Sequence, residues 1–158
     1  FYNWRILYFM FAMLPFVAVN IYYTKQKDER NLLNDLAGIV IFALAGMGAY
    51  YFSERALDTK IWWVAVYPAL FFIGTTLYVK SVMRERKNPK YLRASIVFHS
   101  FLVAYFAATA QYYLVAAFFV AWLRAVYLPR KKLSVKQVGL TEFAVSAVFF
   151  IFLLLETL

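Results

Sequence analysis

Long apolar runs separated by short charged segments set the pattern of this chain. Trp4 to Tyr23 is the first run, interrupted only by Arg5, Pro15 and Asn20. About 20 residues at 1.5 Å each match a hydrocarbon core of roughly 30 Å, so the run predicts a membrane-crossing helix over residues 4–23. Pro15 inside it predicts a kink. The linker Thr24 to Asn31 is too polar to bury, and a second span over residues 32–52 follows at once. After the short charged loop Ser53 to Lys60 comes a third span over residues 61–79, opened by Trp62 and Trp63, which suit a headgroup belt.

The central segment Lys80 to Arg93 holds six cations and one carboxylate in fourteen residues. A charged side chain at mid-membrane costs about 2.5–3.5 kcal/mol on insertion scales, so this hairpin lies outside the bilayer core. Residues 94–128 then run about 35 residues without Gly or Pro, and one helix of that length would reach about 50 Å. Cations at both ends favour two shorter helices instead, over residues 94–109 and 112–128, turning near Thr109-Ala-Gln111-Tyr112. A third basic segment, Pro129 to Lys136, precedes the last span at residues 138–158. The expected fold is all-α: one polytopic transmembrane helical bundle of about six spans.

Composition agrees with that class. The 158 residues are 65% hydrophobic, with 22% aromatics spread over all the spans. Soluble domains are roughly 45–50% apolar. A net charge of +9 would suit nucleic acid, but the cations are confined to short loops, so no nucleic-acid partner is expected. Fourteen of the seventeen cations fall in alternate loops or, for Arg124, near the end of the helix leading into one, and only Arg5, Arg55 and Lys60 fall on the other side. By the positive-inside rule, loops 24–31, 80–93 and 129–137 are cytosolic in a bacterial inner membrane. The absence of cysteine excludes disulfides, thiolate metal sites and thiol nucleophiles. Opening on Phe1-Tyr-Asn-Trp, without Met or a signal-peptide pattern, the chain reads as the C-terminal part of a longer one. The missing N-terminal segment is then an expected partner, as is the lipid bilayer.

Seven residues carry the candidate chemistry: Asn34, Asp35, Lys80, Arg84, His99, Arg124 and Glu142. Each stands within about two turns of the cytosolic end of its helix, so that they can form one polar, anion-binding layer. Intramembrane ionisable groups usually face the interior and pair there. Asp35 shares a helical face with Gly38, Phe42, Ala45 and Ala49, whose small members predict close packing inward. Thr76, Lys80 and Arg84 form a stripe at four-residue spacing. The plainer alternatives are that the cations snorkel to headgroups and that Asp35 and Glu142 serve helix N-termini. His99, about 9 Å into its helix with Ser95 a turn earlier, has no His or Cys partner. It is expected to be a hydrogen-bonded residue, with no metal site and no indicated cofactor. No phosphate loop, G-x-S-x-G or H-E-x-x-H pattern occurs.

Three stretches resemble the bacterial YwiC-like family of membrane proteins: Lys25-Gln-Lys-Asp-Glu-Arg30-Asn-Leu-Leu-Asn34-Asp35-Leu-Ala-Gly38; Tyr78-Val-Lys80-Ser-Val-Met-Arg84-Glu-Arg-Lys-Asn88-Pro89; and Leu123-Arg124-Ala-Val-Tyr-Leu-Pro129 followed by Gly139-Leu-Thr-Glu142. The resemblance covers the whole chain. It implies a further N-terminal membrane segment beginning near a Gln-His-Gly stretch, and names no reaction. A weaker, fold-level resemblance is to UbiA-type prenyltransferases, carried by Tyr22-Tyr23-Thr-Lys25 and by a span running from Tyr78 to Arg84. Those enzymes hold diphosphate through magnesium on clustered aspartates. Here Lys80, Arg84, Arg86 and Lys87 stand instead, and they can meet a phosphate directly.

The favoured function is therefore binding of an anionic headgroup or a lipid diphosphate ligand, in a prenyltransferase-like manner. A proton-coupled or anion transporter is the alternative, with Asp35, Glu142 and His99 as relay groups. A non-catalytic membrane assembly subunit is the third reading, and the residues leave enzyme or non-enzyme open.

Overall fold

The computed structural model describes residues 4–157; the side chain of Trp62, half of the expected tryptophan pair, lies outside the described residues. Among the described residues there are six α-helices and no strand: α1 (Ile6–Lys25), α2 (Leu32–Glu54), α3 (Lys60–Val79), α4 (Pro89–Ala108), α5 (Tyr112–Tyr127) and α6 (Val135–Thr157). All six, with the short turns that extend α3 to Arg84 and α5 to Arg130, are long and apolar enough to cross a membrane. The protein is an all-α, multi-pass membrane protein.

Local chemistry sets where the helices begin and end. The Asn31 side chain accepts from the Leu33 N–H at 3.0 Å and caps α2. Asn88 does the same for α4, accepting from Lys90 N–H at 3.1 Å with Pro89 at the first helical position. That cap starts α4 five residues ahead of the apolar run and brings Lys90 and Arg93 into the helix. Asp58 opens α3, its Oδ1 accepting from Lys60 N–H at 2.9 Å and from the Tyr50 hydroxyl at 2.8 Å. Between α4 and α5 the chain reverses through Ala110 in the left-handed region, φ 57°, at the place where charge and length require a hairpin. A left-handed alanine costs roughly 1–2 kcal/mol, which the two helices' packing must offset.

The chain forms two compact units, one reaching to Ile73 and one starting at Gly74, with α3 running through the boundary. In the N-terminal unit α1 lies along α2 where Gly48 lets Phe9 approach; a Cβ there would stand 3.4 Å from that of Phe9. The Phe9 and Tyr51 rings meet at 5.7 Å. Gly46 similarly faces Val64 of α3. The inward face expected for α2 is corrected here. Phe42 is 77% exposed, Ala45 and Ala49 are exposed, and Gly38 has no neighbour within 4 Å of an added Cβ. The buried positions are Ala37, Ile39, Gly48 and Tyr51. Small residues occur all round α2, so size alone does not single out one face.

In the C-terminal unit α5 packs against both α4 and α6. Its buried stripe is Leu114, Ala117, Phe118, Ala121, Arg124 and Ala125. The three alanines allow close approach, which is what holds helices together in lipid, where burial of apolar surface gives no drive. Phe118 stacks on Phe106 of α4 at 5.1 Å and meets Phe149 of α6 edge-on at 5.4 Å. Two polar links brace these contacts. Trp122 donates to Ser100 at 2.8 Å. The Glu156 carboxylate, near the end of α6, accepts from the N–H groups of Tyr113 at 3.0 Å and Leu114 at 3.4 Å and so caps α5 from another helix. After α3 comes a wide turn, Lys80–Arg84, closed by a 2.7 Å bond from Glu85 N–H to the Lys80 carbonyl five residues back.

Candidate functional site

Each helix of the C-terminal unit has an inward stripe at three- and four-residue spacing, and each stripe carries polar members at one level. Helix α3 supplies Thr75 and Tyr78, α4 supplies Ser95 and His99, α5 supplies Arg124, and α6 supplies Glu142, which falls on the stripe of Val138, Val145 and Phe149. Arg124 is the hub, 4% exposed. Its Nη1 forms a 2.5 Å ion pair with Glu142 Oε2 and reaches Thr75 Oγ1 at 3.5 Å. Its Nη2 faces His99 Nε2 at 3.5 Å. The guanidinium carbon lies 4.4 Å from the centre of the Tyr78 ring, a cation–π contact.

The partners settle the His99 tautomer. Its Nδ1 lies 2.7 Å from the Ser95 carbonyl, which can only accept, so Nδ1 carries the proton. Nε2 is then a lone pair turned to a guanidinium that can only donate. Gly74 makes room for this ring: a Cβ at Gly74 would sit 2.8 Å from His99 Nε2 and 2.9 Å from Cε1.

Removing one member of a buried ion pair costs about 3–5 kcal/mol, because the other charge is left without compensation. The Arg124–Glu142 pair is nevertheless incomplete. Arginine and carboxylate commonly meet fork to fork, but here Arg124 Nε and Glu142 Oε1 are buried without a hydrogen-bond partner. The Tyr78 hydroxyl and the Ser95 hydroxyl are in the same condition. Buried polar atoms are paired in some 90% of cases or more, so these four, carried on α3, α4, α5 and α6, are exceptions.

Of the residues nominated from sequence, the structure brings Arg124, His99 and Glu142 together. Glu142 stands seven residues into α6, about 10 Å along it, paired to Arg124 and away from the helix N-terminus. His99 is ten residues into α4, about 15 Å, deeper than the later helix start implied. Lys80 is buried at 4% exposure in the first position of the wide turn, whereas Arg84, at the last, is exposed. Asn34 and Asp35 belong to the N-terminal unit. There the Asn34 amide donates to the Glu29 carbonyl at 2.7 Å, and Asp35 is half-buried in the first turn of α2. Sequence reasoning missed Gly74, Thr75 and Tyr78. Their signal was the stripe itself, since Phe71, Thr75, Tyr78 and Val82 recur at helical spacing on α3 and its continuation. Among the described residues no three His, Cys, Asp or Glu side chains come together as a metal site.

A family model described as YwiC-like protein matches residues 1–50. An uncharacterized protein of Haemophilus influenzae is 70% identical over 157 residues, 99% of this chain and 66% of its own length. The uncharacterized protein YwiC of Bacillus subtilis is 37% identical over 143 residues, 89% of this chain and 58% of its own. The chain thus spans about three fifths to two thirds of the length of these relatives. No solved structure matches.

Proposed function

The chain belongs to the YwiC-like family, and from that membership and its buried charge seam we propose that it is a cell-membrane protein that binds an oxyanion at Arg124. The oxyanion is an anionic lipid headgroup or a small solute, and the seam lies toward the cytosolic side. The observation that carries this reading is an arginine 4% exposed inside a membrane-length helix, with donor capacity left over in its Nε–H. Charge in that position is expensive and marks ligand or ion sites in membrane proteins. The cytosolic orientation follows from the cation split between alternate loops. A prenyltransferase-like version, with a lipid diphosphate as ligand, draws support from Lys80 and Arg84 in the wide turn. Such turns recur at functional sites, and cations there suit phosphate oxygens. Transport of the anion is the second reading, favoured by the convergence of Glu142 and His99 on Arg124.

The test is binding of sulfate, and separately of phosphatidylglycerol, to the purified full-length protein in an uncharged detergent. A charge-assisted hydrogen bond contributes roughly 1.5–3 kcal/mol, so Arg124→Gln should weaken one of these probes at least about tenfold, or 1.4 kcal/mol. Arg86→Gln, in the exposed loop, should leave binding within about twofold. Equal and small effects at both positions would sink the reading.

A further inference from the structure

We infer that oxyanion binding at Arg124 and proton binding at Glu142 are a single coupled event, the site taking up one proton for each anion; this rests on the Arg124 reading above. One guanidinium carries one positive charge, and Glu142 Oε2 already holds its Nη1. A second anion arriving there sets two negative charges against one guanidinium in a poorly screened interior. Transfer of a proton from solvent to Glu142 removes that repulsion and leaves the guanidinium to the newcomer. The balance is simple: paired Arg124 and Glu142 carboxylate plus anion plus proton give anion-paired Arg124 and a neutral Glu142 carboxyl group. No bond other than the new O–H is made or broken.

The unpaired atoms supply both halves of this exchange. Arg124 Nε–H and the Tyr78 O–H are buried donors without partners, each with a hydrogen bond left to give. The Tyr78 ring against the guanidinium keeps its hydroxyl in the same seam. Glu142 Oε1 is a buried acceptor without a partner, open to a proton while Oε2 faces Arg124. The charged and titratable groups facing Glu142 are Arg124 from α5 and Tyr78 from α3, with the Thr75 hydroxyl beside them. His99 from α4 stands on the far side of the guanidinium. Its Nδ1 is committed to the Ser95 carbonyl and its Nε2 to Arg124, so the proton goes to Glu142 and not to the imidazole.

The experiment uses the wild-type full-length protein first, so that no variant has to fold. Sulfate, or phosphatidylglycerol in a second arm, is added in weak buffer. Neither probe changes its charge between about pH 5 and pH 8, so the pH dependence reports the protein. Expected are uptake of close to one proton per anion bound and an affinity at least about tenfold higher at pH 5 than at pH 8. Glu142→Gln should bind with an affinity that stays within about threefold over that range and take up no proton, whereas His99→Gln should keep the wild-type pH dependence. Only the arm that shows binding names the source of the anion. Arg124-dependent binding with a flat pH profile and no proton uptake overturns the coupling and leaves the binding site standing. Wild-type affinity in Arg124→Gln, or no binding of either probe by the wild type at pH 5, overturns the site itself and the coupling with it.

Discussion

Gly74→Ala tests whether the His99 pocket is as tight as its geometry says. The added methyl would lie 2.8 Å from His99 Nε2 and 2.9 Å from Cε1, where carbon and its neighbours prefer about 3.5–4.0 Å. The imidazole must therefore retreat by roughly 0.6–1 Å. It has little freedom to do so: Nδ1 is tied to the Ser95 carbonyl at 2.7 Å, and the whole side chain is 1% exposed. Phe98 closes another side, 3.4 Å from the same methyl. Overpacking of this kind costs about 1–3 kcal/mol. For a chain of this size each kcal/mol moves the melting temperature by roughly 2–4 °C, so a loss of roughly 2–12 °C is expected, read by tryptophan fluorescence in detergent. A double-mutant cycle separates the clash from any general effect of alanine. In a His99→Ala background the methyl keeps only the 3.4 Å contact with Phe98, close to ordinary van der Waals distance, and Gly74→Ala should cost little there, giving a coupling of about 1–3 kcal/mol. A Gly74→Ala protein that melts within a degree of wild type, or that loses as much without the imidazole as with it, refutes the reasoning.

Two further outcomes are expected. Glu156→Ala removes the carboxylate that caps α5 from α6 and should destabilise the C-terminal unit by about 0.5–2 kcal/mol in the same melting assay, with no change in sulfate affinity. These 158 residues hold no cysteine, so single cysteines placed in them report topology, with the unsubstituted protein as the blank. Those at Asn88 and Ser134 should be protected from an impermeant thiol reagent in intact cells, and one at Thr59 should label; labelling at Asn88 would reverse the orientation.

The helices were legible because bilayer thickness is a ruler: apolar runs of about 20 residues and cations at their ends leave little choice of fold. The hairpin at Ala110 was found by the same arithmetic, without any glycine to announce it. Helix starts were less legible, since the apolar run at 94 hid a cap at Asn88 that begins α4 earlier. Faces were least legible, and the reason is physical. In water an inward face is apolar and an outward face polar, whereas in lipid both are apolar and amphipathicity disappears. The inward choice for α2 rested on small residues that occur on every side of it, and it failed at Phe42. The polar layer was assembled by distance from helix ends. Of the seven it collected, the structure brings Arg124, His99 and Glu142 together, leaves Arg84 exposed and bonds Asn34 to the Glu29 carbonyl. A stricter criterion was available in the same letters: a polar residue matters in lipid when it falls on the stripe that other helices cover. Glu142 lies four residues from Val138 and three from Val145; His99 lies four from Ser95 and three from Leu102. Thr75 and Tyr78 meet the same test between Phe71 and Val82, and they are the two that a search for charges passes over. Tyr78 is fully buried against the guanidinium with its hydroxyl unpaired, so the group most easily read as headgroup-belt material is the one that leaves a donor beside Arg124.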